Sequence, residues 1–243
     1  MKTLVLGASG ATGKHLVHQL IIKGIEIKIV VRSLERIPEI WKKNTRIEVI
    51  HASILDLSTK EMMVLTADCG SIVSCLGHNL NLKGIYGKPR KLVTDTARRL
   101  CNAVKANKEN KPVKYILMNT TGNRNRDLNE EVSLVQKCVL ILLRLLLPPH
   151  VDNEKAAEYL SKEIGQKNKH IEWTAVRPDG LTDEKEISEY TIHQSPTRSA
   201  IFDAGKTSRI NVGNFMYRLI EEQELWKKWE GKMPVIYNKG LQD

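Results

Sequence analysis

The stretch LVLGASGATGKHLV, residues 4–17, decides the fold. It begins with an apolar run typical of a buried β-strand, passes through Gly7, Gly10 and Gly13, and then resumes apolar residues at helical spacing. A strand that runs through glycines directly into a helix is the pattern of a dinucleotide-binding turn. The glycines there allow a tight turn, a close approach of phosphate to backbone amides, and close packing of the helix on the strand.

The spacing of these glycines is G-x-x-G-x-x-G, one residue different from the archetypal G-x-G-x-x-G. The helix that starts near Ala11 would direct the positive end of its dipole at a pyrophosphate. A purely structural turn is the alternative interpretation. We assign the whole turn to the cofactor, namely Gly7, Ser9, Gly10, Ala11, Thr12 and Gly13.

Beyond the turn, strand and helix patterns alternate along the chain. Short β-branched runs occupy residues 3–6, 25–31, 46–51, 71–76, 113–118 and 171–176, and stripes at helical spacing lie between them. One of these helices is expected to open with Asp152 as its cap. A helix around 212–220 and a last strand at 233–237 follow. The alternation predicts an α/β fold with a doubly wound parallel sheet, the Rossmann fold.

We predict a single NAD(P)-binding domain over residues 1–243, in which 182–243 form the substrate-side and C-terminal elements. Two segments, 78–90 and 182–208, are longer than ordinary connections and follow strands at their carboxyl ends. Ligands bind at that edge of a parallel sheet. The substrate is therefore expected under these two segments.

Composition excludes several classes of function. The net charge of +10 is spread along the chain without a basic arm, so we expect a solvated surface with a pocket for cofactor phosphates rather than nucleic-acid binding. The four cysteines match neither a zinc site nor a secreted disulfide framework, which predicts reduced, mostly buried thiols in a cytoplasmic protein. No signal peptide fits, and no histidine cluster has metal-ligand spacing.

The most apolar stretch, residues 139–147, is too short to span a bilayer. Its composition favours a core helix over an interface or membrane-surface helix.

The end of the second predicted strand decides between the two dinucleotides. An NAD site usually places an acidic residue there for the ribose 2′-hydroxyl, whereas this strand ends in Arg32 and Ser33, with Arg36 close behind. A guanidinium offers a planar fork of donors for a 2′-phosphate. NADP(H) is therefore favoured over NAD(H), the alternative being that Arg32 is an ordinary surface residue.

At this point the chain resembles the atypical short-chain dehydrogenases/reductases, in the NAD(P)H-binding group that includes NmrA-like and biliverdin-reductase-B-like proteins. The resemblance rests on seven motifs in the expected order: GASGATG (7–13), VVRS (30–33), SILD (53–56), SCLG (74–77), MNTTG (118–122), KAAEYL (155–160) and EWTAVRPDGL (172–181).

The resemblance implies further cofactor contacts. Ser53 and Ile54 match the pair that flanks adenine. The turn beside the adenosine ribose and pyrophosphate corresponds to Cys75, Leu76 and Gly77. On the nicotinamide side the matching residues are Asn119, Thr120, Thr121, Pro178 and Gly180.

Short-chain dehydrogenases usually exchange a proton with the substrate through Tyr-x-x-x-Lys. Lys155 matches the family lysine, but Val151 stands where the tyrosine belongs. The candidates that remain are Thr120 or Thr121 as hydrogen-bond donors to a substrate carbonyl and His150 as a proton donor, with a turn residue as the alternative for His150. Lys155 is also expected to hold the nicotinamide ribose.

Two other side chains are not assigned a catalytic role. Tyr159 is interpreted as a packing residue, and Asp179 as a salt-bridge or loop residue rather than a catalytic acid.

Two functions fit this pattern. The first is an NADP(H)-dependent oxidoreductase, a reductase of a small carbonyl or conjugated molecule. The second is a non-catalytic NADP(H)-binding redox sensor, which the missing tyrosine favours. The expected partners are a small-molecule substrate and no nucleic acid, while a protein partner or a homodimer stays open.

Overall fold

A sheet of eight strands forms the centre of the protein in the computed structural model, which describes residues 1–78, 81–108, 110–128, 130 and 133–240. In chain order its strands are β1 (Lys2–Leu6), β2 (Ile27–Val31), β3 (Ile47–His51), β4 (Cys69–Ser74), β5 (Val113–Met118), β6 (Ile171–Pro178), β8 (Tyr190–His193) and β10 (Val235–Asn238). Two short strands, β7 (Gly180–Thr182) and β9 (Lys206–Ser208), pair in parallel outside this sheet.

The strand order is β3-β2-β1-β4-β5-β6-β10-β8. Strands β1 to β6 and β10 are parallel, and the edge strand β8 is antiparallel to β10. The chain moves outward from β1 through β2 to β3 and then returns to the other side of β1 with β4. The crevice between the carboxyl ends of β1 and β4 is therefore the switch point, where ligands of such folds bind.

Helices cover both faces of the sheet. They are α1 (Ala11–Ile22), α2 (Glu39–Lys42), α3 (Thr59–Thr66), α4 (Leu82–Tyr86), α5 (Leu92–Asn107), α6 (Leu134–Leu146), α7 (Pro148–Glu158, continued by a π-helical turn Tyr159–Ile164), α8 (Arg209–Glu221) and α9 (Gln223–Trp229). One face is covered by α3, α5 and α7, with Met62, Leu100 and Leu160 in its core. On the other face, α1, α8 and α9 bury Leu16, Phe215 and Trp226. The doubly wound Rossmann fold is thus confirmed.

The six predicted parallel strands and the final strand are all present, because β-branched runs bounded by polar residues mark buried strands well. The predicted cap of α7 was wrong. That helix begins at Pro148, and Asp152 lies buried inside it. Proline at the first helical position starts the helix, since its missing N–H has no intrahelical partner there.

The expectation of a core helix at residues 139–147 was also wrong. The segment lies in α6, of which Leu140 is buried. The exposed apolar residues of α6 are Leu134, Val135, Ile141, Leu142, Leu145 and Leu146, with Leu134 77% and Leu145 76% exposed. An apolar pattern does not identify what covers it, so sequence alone could not separate these possibilities.

Among the described residues, no single helix is long and apolar enough to cross a membrane. The pair Leu134–Leu146 and Pro148–Ile164 reaches the required length and composition only when taken together, and it is bent by 104°.

All four cysteines are free thiols. Cys69 and Cys101 are buried and Cys75 is half-buried, as the sequence predicted, but Cys138 is exposed on α6.

Candidate cofactor and substrate site

The glycine turn connects β1 to α1 at the switch point. Gly7 has a φ of +71°, a left-handed conformation that favours glycine, and a Cβ on it would lie 2.5 Å from the carbonyl oxygen of Cys75. A Cβ on Gly13 would lie 2.1 Å from the carbonyl oxygen of Gly7. The turn, the end of β4 and the first turn of α1 therefore approach more closely than any side chain allows.

No side chain caps the amino terminus of α1. Gly10 is the residue before the helix, has no side chain to cap it, and donates its amide to the carbonyl oxygen of Gly7 at 2.9 Å. The first turn of α1 contains no acidic residue. The amides of Ala11, Thr12 and Gly13 thus begin the helix without a side-chain acceptor, which suits an anion.

A cavity of about 170 Å³ opens beside this turn. Of the residues predicted to contact the cofactor, it is lined by Gly7, Ser9, Gly10, Arg32, Arg36, Ser53, Ile54, Cys75, Leu76 and Gly77. Its lining also includes residues that the sequence analysis did not assign, namely Leu6, Val30, Val31, Ala52, Pro89 and Leu92. Leu6 and Ala52 each precede a quoted motif by one residue, and Val30 and Val31 lie within VVRS (30–33). Pro89 precedes α5 and Leu92 begins it, and neither lies beside a quoted motif.

Arg32 and Arg36 carry the positive charge of this cavity. Both side chains are exposed, and neither pairs with a carboxylate of the described chain. The backbone carbonyl of Arg32 is 3.2 Å from Nε2 of His51, a contact that ties the end of β2 to the end of β3. Ser33 precedes a short 3₁₀ turn and does not cap it with its hydroxyl. Arg32 and Arg36 therefore line the cavity without a carboxylate partner, whereas Ser33, next to Arg32, does not line it.

The predicted nicotinamide-side residues lie after β5 and β6, outside the 170 Å³ cavity. Asn119 Nδ2 donates to the carbonyl oxygen of Asn153 at 3.0 Å, which ties the end of β5 to α7. The amide of Thr121 donates to the carbonyl oxygen of Pro178 at 3.1 Å and continues the pairing of β5 with β6. Gly180 begins β7, where its amide donates to the carbonyl oxygen of Gly205 at 2.9 Å.

The two threonines differ in what their hydroxyls bind. Thr121 Oγ1 donates to Asp179 Oδ1 at 2.9 Å, so its proton is engaged. Thr120 Oγ1 accepts from the amide of Gly122 at 3.2 Å, which leaves its proton available to a ligand. Of the two, Thr120 is the better placed donor for a substrate carbonyl.

His150 lies close to Thr120. A Cβ placed on Gly122 would be 3.6 Å from His150 Cε1 and 3.7 Å from Thr120 Oγ1, so the two side chains flank one point. His150 is in the first turn of α7, so the alternative of a turn residue was wrong. Its Nε2 is 3.5 Å from Glu154 Oε1 and is buried without a hydrogen-bond partner.

Burial by itself raises the pKa of Glu154, but the nearby imidazole of His150 and the hydrogen bonds from Arg144 outweigh that effect and lower it to about 2. The carboxylate next to His150 is therefore ionised at neutral pH.

Val151 occupies the position of the usual tyrosine, and its side chain is half-buried on α7. Lys155, one turn later, is exposed and has no partner among the described residues. Tyr159 is buried, and the guanidinium of Arg98 lies 5.4 Å from its ring centre. Tyr159 belongs to the core on this face of the sheet, so it is a packing residue, as predicted. Its burial also raises its pKa.

Asp179 is a buried loop anchor. Besides Thr121, its Oδ2 accepts from the amide of Gly205 at 2.8 Å, which joins the end of β6 to the segment before β9. Burial raises the pKa of Asp179 despite these hydrogen bonds. The sequence predicts either a salt-bridge residue or a loop residue here, and these contacts make Asp179 a loop residue.

A buried ion pair between Arg177 and Glu130 was not predicted from the sequence. Arg177, fully buried on β6, donates Nη2 to Glu130 Oε1 at 2.7 Å and Nη1 to Glu130 Oε2 at 3.0 Å. The same guanidinium donates to the carbonyl oxygens of Asn123, Gln194 and Met233. An arginine within an apolar strand was the available signal, since a buried charge needs a partner.

A second cavity, of about 340 Å³, lies at the carboxyl ends of β5 and β6. It is lined by Thr121, Gly122, Arg124, Glu130, Gln136, Leu140 and residues 195–200. The segment 195–200 belongs to the predicted covering segment 182–208. The other predicted cover, 78–90, includes residues 79–80, which lie outside the described residues. Its Pro89 lines the 170 Å³ cavity instead.

Solved structures share this fold over nearly the whole chain. A short-chain dehydrogenase/reductase from Veillonella parvula, in complex with NADP, is 16% identical with a TM-score of 0.70, over 98% of this chain and 95% of that one. The anaerobillin reductase ChuY from Escherichia coli is 14% identical with a TM-score of 0.69, over 100% of both chains. At these identities the likeness concerns the fold.

Among curated proteins, an uncharacterized chloroplastic protein of Arabidopsis thaliana is 29% identical over 76 residues. That match spans 31% of this chain and 27% of the plant protein.

A family model described as NAD(P)H-binding matches residues 7–223. The match includes the glycine turn and the segments after β4, β5 and β6 that line the two cavities. Because it covers most of the chain, the protein belongs to the NAD(P)H-binding family.

Proposed function

We propose that the protein is an NADP(H)-dependent reductase of a small carbonyl or conjugated molecule, one that works without the usual tyrosine. The observation that carries this proposal is the pair of cavities at one sheet edge. The 170 Å³ cavity beside the glycine turn suits an adenosine, and the 340 Å³ cavity beyond β5 leaves room for a small acceptor. The reductase named among the structural neighbours is consistent with this class of reaction.

The residues fit the cofactor in three ways. The close approach at Gly7 and Gly13 would bring a pyrophosphate to the backbone amides of the turn, and the uncapped terminus of α1 favours its charge. Arg32 and Arg36, with Ser33, would hold the 2′-phosphate. Ser53 and Ile54 would flank the adenine, and the turn Cys75 to Gly77 the ribose. The nicotinamide would meet Asn119, Pro178, Gly180 and Lys155.

When bound, the reduced nicotinamide supplies a hydride to the acceptor. The chain's own task is to orient the acceptor and to supply a proton. The Thr120 hydroxyl would donate a hydrogen bond to the substrate oxygen and keep its own proton. His150, beside it, would transfer the one proton that this oxygen takes up. The Glu154 carboxylate, 3.5 Å from His150 Nε2, would orient the imidazole for this transfer. Asp179 and Thr121 keep the loop in place.

The cofactor preference is tested by Arg32→Ala. Losing a charge-assisted hydrogen bond should weaken NADPH binding by about 1.5–3 kcal/mol and leave NADH binding nearly unchanged, as measured by calorimetry. Arg46→Ala, an exposed arginine at the other end of β3, is the control. Equal weakening of both nucleotides would remove the argument for NADP.

The reaction is tested by following NADPH oxidation with a panel of quinones, flavins, aldehydes and ketones. Turnover that falls in Thr120→Val and His150→Gln, at unchanged NADPH affinity, is the expected result. The absence of a phenol at position 151 favours the alternative function, a non-catalytic redox sensor. Tight NADPH binding with no oxidation by any member of the panel would support that alternative.

A further inference from the structure

The 340 Å³ cavity carries an unbalanced positive charge. Its charged lining residues are Arg124, Glu130 and Arg198. Whether this cavity attracts an anion depends on how many of these charges are already neutralised within the protein.

Glu130 is neutralised from behind. Both of its carboxylate oxygens bind the guanidinium of Arg177, and Oε2 also accepts from the amide of Asn125 at 2.7 Å. The side chains of the pair are 0% and 6% exposed for Arg177 and Glu130. This carboxylate therefore offers little negative charge to the cavity.

Arg198 is neutralised as well. Its Nε donates to Asp203 Oδ2 at 3.0 Å, and its Nη2 pairs with Oδ1 of the same carboxylate. Of the three charged lining residues, only Arg124 has no ion-pair partner in the described part of the chain.

Arg124 is half-buried, and its Nε is sealed from solvent without a hydrogen-bond acceptor. A buried, unpaired donor is costly, and native proteins rarely leave one without a reason. Arg124 also lines a second, small cavity, and the acidic residues of that lining are Asp127, Glu154 and Glu158. None of these forms an ion pair with Arg124: Glu154 pairs with Arg144, Glu158 pairs with Lys162, and Asp127 is exposed.

The remainder of the lining is a mixture of apolar surface and hydroxyls. Leu140, Pro196 and Ala200 offer apolar contact, while Ser195 and Thr197 offer hydroxyl groups. The hydroxyl of Ser199 is engaged, since it donates to Gln136 Oε1 at 3.1 Å. Lys137 lines a neighbouring cavity together with Arg124 and is a second cation near this site. The arrangement suits a small molecule with an apolar body and one anionic end.

We propose that the substrate carries a carboxylate and that Arg124 is the residue that binds it. This inference rests on the proposed function, since it places an anionic acceptor in the substrate cavity. A guanidinium binds a carboxylate through two parallel hydrogen bonds. Because Nε is sealed from solvent, the two Nη groups of Arg124 would form this fork, and neither has a hydrogen-bond partner among the described residues. Arg124 thereby selects carboxylated acceptors over neutral ones of the same shape.

The test uses matched pairs of probes on the NADPH-loaded protein. They are 4-formylbenzoate with its methyl ester, and cinnamate with its methyl ester, one pair for each acceptor class. Calorimetry should show each acid binding about 10- to 100-fold more tightly than its ester, the range expected for a charge-assisted hydrogen-bonded pair. Arg124→Met should remove this preference, and Arg124→Lys should retain part of it.

Arg126→Met is the matched control, because Arg126 lies two residues away in the same segment, is exposed, and does not line the large cavity. It should keep the full preference for the acids. The inference is overturned if neither acid binds more tightly than its ester in the unaltered protein, including the case in which no probe binds. That comparison stands even if Arg124→Met fails to fold.

NADPH affinity measured in the same samples separates the two proposals. If NADPH does not bind, the proposed function fails whatever the acids do. If NADPH binds and the acids show no preference, only the role of Arg124 is overturned.

Discussion

Helix α1 follows β1, and helix α5 comes after the neighbouring strand β4 and the short helix α4. The amino termini of α1 and α5 are satisfied in opposite ways. At α1, Gly10 provides no side chain and no acidic residue stands in the first turn. At α5, Asp152 reaches over from α7 and accepts from the amides of Val93 at 2.8 Å and Thr94 at 3.0 Å. The chain supplies the anion for one helix and leaves the other without one.

The carboxylate at α5 is part of a buried cluster. Asp152 Oδ2 is 2.8 Å from His78 Nε2, and the two side chains are 0% and 5% exposed. Burial alone would raise the pKa of Asp152, but hydrogen bonds from His78, Thr94 and the two amides hold it below its usual value. The terminus of α5 is therefore closed by the protein itself and serves stability.

The difference between α1 and α5 indicates which of the two amino termini is available to a ligand. Helix amides at the carboxyl edge of a parallel sheet attract negative charge in both places. Only the terminus of α1 has room for a charge from outside the chain, and this supports the proposed place of the pyrophosphate.

Removing the internal anion should have the largest effect. Asp152→Ala leaves the α5 amides and His78 without their shared acceptor, inside the protein. We expect a loss of about 3 kcal/mol or more in the free energy of unfolding, because three buried donors lose their acceptor at about 1–3 kcal/mol each. Urea unfolding measures it, with Asp95→Ala, in the first turn of α5, as the control. A loss below about 1 kcal/mol would show that the cluster is not structural.

Placing an anion at the bare terminus should have the next largest effect, and on binding instead of stability. In Gly10→Asp the new carboxylate caps α1 and repels a pyrophosphate, so NADPH affinity should fall by about 100-fold or more. Gly10→Asn is the control, because it has the same shape without the charge. Both variants meet the carbonyl oxygen of Gly7, 3.0 Å from the new Cβ, so their stabilities should be similar.

If Gly10→Asp and Gly10→Asn lose NADPH affinity equally, shape rather than charge governs that terminus.

The pH dependence of stability should differ between the parent protein and Asp152→Asn. A carboxylate with a depressed pKa stabilises the fold above its usual pKa of 3.8, and this contribution is lost as pH falls through the lower, folded value. The difference in unfolding free energy between the two proteins should therefore narrow as pH is lowered below about 4. A constant difference from pH 6 to pH 3 would contradict the proposed ionised state.

The sheet was predictable because its information is local. Each buried strand is a β-branched run with polar ends, and the glycine turn marks the first crossover. The missed elements are α2, α3, α4, α9, β7, β8 and β9. The short helix α3 is opened by a capping box between Ser58 and Glu61, and β8 is a four-residue edge strand in a polar segment. Short and polar elements have weak periodicity, so pattern alone does not reveal them.

The candidate site was predictable where residues follow strand ends. That is why so many of the predicted residues line the 170 Å³ cavity. The pairs that position those residues could not be predicted. Arg177 and Glu130 are 47 positions apart, and His78 and Asp152 are 74 apart. Only the folded chain brings them into contact, and an isolated sequence contains no signal for which charge finds which partner.

The outward-facing side of α6 has a practical consequence for handling this protein. Six large aliphatic side chains meet water on one short helix. Environment-sensitive dyes that fluoresce on apolar surface will therefore bind the native state and give a high starting signal in thermal melts. Circular dichroism or intrinsic tryptophan emission will report unfolding more faithfully, and exchanging Leu142 and Leu145 for glutamine should lower the dye signal without altering the melt.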